Sequence, residues 1–239
     1  MINIKFRTTK DFIGVIPEPQ PANKFVPKWY KEMSVSQEKN KPPVFSEFGI
    51  LSSTKSLKTC IPVRDYITSG YIIPLYTDLA VDKNEKEDRL NFNWGSLDFD
   101  PITYHYKKQI EGSPVEKHTI GGRLYKVNNP WRIQTPKGYS CLFLPVQYRE
   151  ESFFDILPAI VDTDGNHEIN FPFVFTGKDG HYTVHRGSPL VQVIPFKRDN
   201  WKMELSEWTE REEEKNELLH GTFLYQLYLK MFHKKKIYR

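Results

Sequence analysis

The chain has 239 residues, 38% hydrophobic, 27% charged and 14% aromatic, which is enough apolar surface for a packed core and too much for a disordered segment. Its 34 Lys and Arg against 30 Asp and Glu leave a formal charge of only +4, a small excess that speaks against a polyanion-binding protein. No apolar run reaches the roughly eighteen residues of a membrane span, and Met1-Ile2-Asn3-Ile4-Lys5 lacks the apolar stretch of a secretory leader, so a soluble cytoplasmic protein is expected.

Residues 1–57 read as an extended, proline-rich N-terminal arm packed on the body. Proline punctuates Ile16-Pro17-Glu18-Pro19-Gln20-Pro21, Phe25-Val26-Pro27-Lys28-Trp29-Tyr30 and Lys41-Pro42-Pro43, and each proline pushes its predecessor toward extended geometry. A short helical turn is expected over Lys28 to Met33. Residues 58–198 form a second segment dominated by strand signals. Tyr66 to Tyr76 is β-branched and aromatic; Leu79-Ala80-Val81 and Leu90-Asn91-Phe92-Asn93-Trp94 flank a charged hairpin tip, and the second of them alternates with period two. Further strands are expected over Ile102 to Tyr106, Leu124 to Val127, Trp131 to Gln134, Ser140 to Pro145, Ile156 to Val161, Glu168 to Phe175, Tyr182 to His185 and Leu190 to Phe196. Turn residues separate them, as in Gly121-Gly122, Thr135-Pro136-Lys137-Gly138 and Asp162-Thr163-Asp164-Gly165-Asn166. Many short strands at this spacing predict a mainly β barrel or sandwich.

Residues 199–239 switch to a helical extension. Thr209-Glu210-Arg211-Glu212 has capping-box form, Leu219, Phe223, Leu227 and Met231 repeat at i, i+4, and Lys230 with Lys234-Lys235-Lys236 places positive charge at the helix end. That basic tail is read as a solvated helix end. Nucleic acid is therefore not expected as a partner.

Cys60 and Cys141 are too few for a disulfide scaffold and read as buried free thiols. His181 and His185 are spaced i, i+4 on a strand, which lacks the compact ligand geometry of a helix, so no metal site is assigned there. The pair Asp162 and Asp164 followed by a lone strand glutamine, Gln192, fits either a small-molecule site or a plainer role, with the carboxylates bonding their own turn amides and Gln192 a core backbone group.

Four motifs in order, Gly70-Tyr71, Pro136-Lys137-Gly138-Tyr139-Ser140, Ile160-Val161-Asp162-Thr163-Asp164 and Gly187-Ser188-Pro189-Leu190-Val191-Gln192-Val193-Ile194, resemble those of the dUTPase and dCTP-deaminase superfamily. The resemblance covers residues 59 to 197 and implies a β-clip fold and a homotrimer. A closer likeness is to an uncharacterised family of phage and bacterial proteins, carried by Asn129-Pro130-Trp131, Thr135 to Ser140, Val161-Asp162-Thr163-Asp164, Asn170-Phe171-Pro172 and Gln192-Val193-Ile194-Pro195. By the first resemblance Asp162 would orient an attacking water and Gln192 would lie near phosphates, with Tyr71, Asp164, Arg149 and Arg186 as ligand-binding residues and Mg²⁺ as cofactor.

The chain departs from that pattern at three places. Ile72 stands where an aspartate supports the metal, Val146-Gln147-Tyr148-Arg149 replaces the Arg-Ser-Ser phosphate signature, and Gly165 stands where a tyrosine follows. Triphosphate hydrolysis needs metal and arginine together to neutralise charge. The expectation is therefore a non-catalytic β-clip protein without cofactor, acting in binding or assembly as a homo-oligomer, as a phage-encoded or virion-associated structural protein. The alternative is a dUTPase-like phosphohydrolase, or a nucleotide-sequestering protein, using Asp162 and Gln192.

Overall fold

A computed structural model describes residues 2–36, 44–46, 49–52, 56–84, 86–95, 99–149, 153–214 and 228–239, with 44–46 and 49–52 described by their backbone alone. In chain order the strands are β1 (Lys5–Arg7), β2 (Gln20–Pro21), β3 (Val44–Ser46), β4 (Gly49–Ser52), β5 (Tyr71–Pro74), β6 (Leu79–Lys83), β7 (Leu90–Trp94) and β8 (Ile102–His105). They continue as β9 (Leu124–Val127), β10 (Arg132–Gln134), β11 (Tyr139–Pro145), β12 (Phe154–Ile156), β13 (Ala159–Val161), β14 (Phe171–Phe175), β15 (Gly180–Val184) and β16 (Pro189–Lys197). The α-helices are α1 (Lys28–Glu32), α2 (Ile61–Thr68) and α3 (Lys107–Ile110). The protein is mainly β, with its strands spread over several sheets, and among the described residues no sheet closes into a barrel.

Two compact units divide the chain: Met1–Phe25 with Gly70–Arg198, and Val26–Ser69 with Asp199–Arg239. In the first, β13-β11-β16-β5-β2 form a five-stranded antiparallel sheet, β12-β14-β9-β8 a four-stranded one, β15-β6-β7 a three-stranded one, and β1-β10 a ladder of two. Residues 5–7 and 20–21 thus enter sheets, β1 against β10 and β2 against β5.

Alternation decides which face is buried. Cys141 and Phe143 of β11 point into the core with Val191 and Val193 of β16 and Ile73 of β5, while Phe171, Phe173 and Phe175 of β14 bury every second side chain against them. Each such burial contributes about 1.5–3 kcal/mol. Gly70 has a fold reason of its own. Its φ is +70° and a Cβ there would lie 2.0 Å from the Val193 carbonyl oxygen, so only glycine lets β5 approach β16 at that point.

Two strand expectations are corrected. Tyr66, Ile67 and Thr68 belong to α2, which starts with proline in its first turn and buries Ile61 and Ile67; the strand begins only after Gly70. The single strand read over Ile156 to Val161 is broken before Pro158, so that β12 pairs with β14 in one sheet and β13 with β11 in another. Cys60, expected to be buried, instead occupies the N-cap position of α2 and is only half-buried; Cys141 is buried, and both are free thiols.

In the second unit β3 and β4 pair as a hairpin and α1 occupies the expected turn. Thr209 and Glu212 exchange the anticipated capping bonds, with Glu212 Oε2 accepting from the Thr209 amide at 2.9 Å, and residues 210–214 are helical. Leu219, Phe223 and Leu227 lie outside the described residues; Met231 sits in a π-helical turn over Tyr228–Phe232 and is exposed. The basic tail is not wholly solvated, since Lys236 Nζ and His233 Nε2 lie 2.6 and 3.0 Å from the Asp65 carboxylate. Among the described residues no helix is long and apolar enough to cross a membrane.

Candidate functional site

The turn that follows β13 carries Asp162, Thr163 and Asp164, and the end of β16 delivers Arg198 to it. Antiparallel pairing of β11 with both strands puts Ser140 beside them. Arg198 Nη1 lies 3.1 Å from Asp162 Oδ1 and 2.9 Å from Asp164 Oδ1, while Nη2 meets Asp164 Oδ2, so one guanidinium forks onto Asp164 and reaches Asp162 as well. Ser140 Oγ donates to Asp162 Oδ1 at 2.6 Å, and the Gly138 amide donates to Asp164 Oδ2 at 2.8 Å.

These bonds set the charges. The Arg198 fork, helped by the Gly138 amide, holds Asp164 down at about 2, and the Ser140 hydroxyl with Arg198 lowers Asp162. Beneath them, Thr163 is fully buried, its hydroxyl 2.7 Å from that of Thr135 and 3.3 Å from Cys141 Sγ, and burial raises the Cys141 thiol. Neither sequence reading of the aspartates describes this arrangement in full. Their side chains tie the turn to β11 and to the end of β16, and the backbone carbonyl of Asp162 closes the turn by accepting from Gly165 and Asn166. The pair does not suit Mg²⁺, because both carboxylates already face the Arg198 cation.

The remaining expected site residues lie elsewhere. Gln192 is 2% exposed in the middle of the five-stranded sheet, paired with Leu144 and Ile72 and on the face opposite Val191 and Val193. Leu144 is four residues along β11 from Ser140, which separates Gln192 from the Asp162 end by about 13 Å of strand. Tyr71 packs edge-on against Phe6 at 5.4 Å. Arg149 donates to the Phe25 carbonyl, and burial lowers its basicity. Arg186 donates to the Val15 carbonyl through its side chain and to Asp78 through its amide. His181 and His185 face Asp82 and Asp78 on the solvent side.

A concavity opens at a different place. A cleft of ≈850 Å³ lies between β1, β10, β9 and the segment 167–170. Among the described residues Arg7, Lys126 and Arg132 line it with a single carboxylate, Glu168, which pairs with Arg132. Asn129 and Asn170, which open two of the quoted motifs, meet there: the Asn129 amide donates to Asn170 Oδ1 at 3.1 Å, and Asn129 Oδ1 accepts from the Trp131 amide in a tight Asx turn. His167 Nδ1 lies 3.2 Å from the Ile133 carbonyl and 3.1 Å from that of Thr163, so Nδ1 carries a proton that these carbonyls accept. One imidazole thereby joins the wall of the cleft to the aspartate turn.

Sequence reasoning missed Arg198 and the cations of the cleft. The Asn129 and Asn170 motifs were the available signal, since they fall on the cleft wall. Compared with known proteins, the chain matches no family model and no curated protein.

Proposed function

We propose that the protein is a non-catalytic β-clip protein that acts in binding and assembly as a homo-oligomer, with a phage particle or its assembly as the setting. The observation that carries this reading is the segment after Arg198. Trp201, Met203, Leu205 and Trp208 are 92%, 82%, 87% and 63% exposed, four large apolar side chains within eight residues. Burying each would contribute about 1.5–3 kcal/mol to association, and clusters of this kind mark interaction sites. The non-catalytic part is supported by the aspartate turn, whose two carboxylates are engaged by Arg198 and Ser140, and by the distance of Gln192 from it within one chain.

Sedimentation of the full chain tests the proposal. A multimer, with a trimer the first stoichiometry to examine, is expected for the wild type at ~50 µM, and Trp201→Ser with Leu205→Ser is expected to shift it to monomer while preserving the far-UV spectrum. A wild-type chain that sediments as a monomer at that concentration overturns the self-assembly reading.

A further inference from the structure

We propose that the cleft between β1 and β10 is a binding site for a phosphate monoester with a flat or apolar body. This inference stands independently of assembly. The register of β1 and β10 sets Arg7 directly opposite Arg132, and both line the cleft. Like charges directly opposite in an antiparallel pair destabilise the ladder, and Lys126 of β9 adds a third cation to the cleft lining. Glu168 takes one N–H of Arg132, whose guanidinium keeps further donors. Arg7 has no ion pair among the described residues. A dianion seated between the two guanidiniums and Lys126 would turn this repulsion into charge-assisted hydrogen bonds, for which arginine forks are well shaped.

The rest of the cleft suits the body of such a ligand. Phe12 and Phe99, edge to face at 5.9 Å and half-buried, supply an apolar wall. Thr8 Oγ1 and Gln134 Oε1 belong to cleft-lining residues and are buried with no hydrogen-bond partner among the described residues, capacity that a hydroxyl or N–H of a ligand would satisfy after a side-chain rotation. The volume of ≈850 Å³ falls within the range of small-molecule sites.

The test is calorimetric titration of the full chain with phenyl phosphate, inorganic phosphate, phenol and benzoate. Phenyl phosphate is expected to bind at least tenfold tighter than inorganic phosphate, phenol or benzoate. Arg7→Glu is expected to weaken it at least tenfold while the unliganded melting midpoint stays level or rises, because an opposite-charge pair with Arg132 replaces a like-charge one. Arg7→Ala and Lys126→Ala carry the same affinity test should the Glu variant fail to fold. Absence of phenyl phosphate binding at 10 mM overturns the proposal, as does an affinity unchanged by these substitutions. Benzoate binding as tightly as phenyl phosphate overturns the assignment to phosphate.

Discussion

At the turn after β13 an arginine faces two carboxylates and a serine; in the cleft beside the β1–β10 ladder the described lining carries three cations, Arg7, Arg132 and Lys126, and one carboxylate, Glu168. In the first place every charge has been met by the fold itself. Asp164 is tucked in, its side chain 13% exposed, and Arg198 answers both aspartates. In the second the fold sets two guanidiniums opposite each other and leaves one without an ion pair among the described residues. The turn that reads most like an active site thus has its charges met within the fold, and the unbalanced charge belongs to a ladder with no such signal.

The largest effect expected from breaking this contrast lies under the aspartate turn. Thr163→Val removes a buried hydroxyl that meets Thr135 and Cys141, and is expected to cost about 1–2 kcal/mol, seen as a melting midpoint lower by roughly 4 °C. Next comes the pair of arginines. Arg198→Met leaves Asp162 and Asp164 side by side without their cation and should lower the midpoint clearly, whereas Arg132→Met relieves Arg7 and should lower it little, if at all. Equal losses in the two variants would erase the distinction between the regions.

Acid titration gives a subtler readout. Asp164 is held at about 2, below the ordinary value near 4, so its contribution to stability is fully present above about pH 4 and is lost as the pH falls toward 2. The midpoint measured across that window should fall less steeply in Asp164→Asn than in the wild type. The smallest effect is at the ladder: Arg7→Glu should change stability by about 0.2–1 kcal/mol in the stabilising direction, measurable by urea denaturation. A loss of that size would make Arg7 a structural residue.

Much of the local structure was legible in the chain. Period-two burial over 171–175, the Thr209 to Glu212 capping box and the glycine-containing turns act within a few residues, where composition and spacing suffice, whereas over 90–94 the strand forms but its burial fades toward the exposed Trp94 instead of alternating. The errors came where neighbours in space decide. The run at Tyr66 to Thr68 has strand-forming residues, yet the proline entry at Pro62 starts a helix that buries Ile61 and Ile67. In the same way Pro158 separates Ile156 from Val161, because the two ends find different sheets.

The candidate sites divide along the same line. The sequence by itself determined that short alternating strands would bury one face, that Asp162 and Asp164 would sit in a turn, and that Gln192 would be a lone polar residue in an apolar strand. Only the tertiary structure decided that Arg198 closes on the two aspartates, that Gln192 lies in mid-sheet away from them, and that Arg7 and Arg132 face each other. The physical reason is that periodicity reports whether a side chain is buried, while the partner across a sheet is set by non-local pairing, which no local spacing encodes.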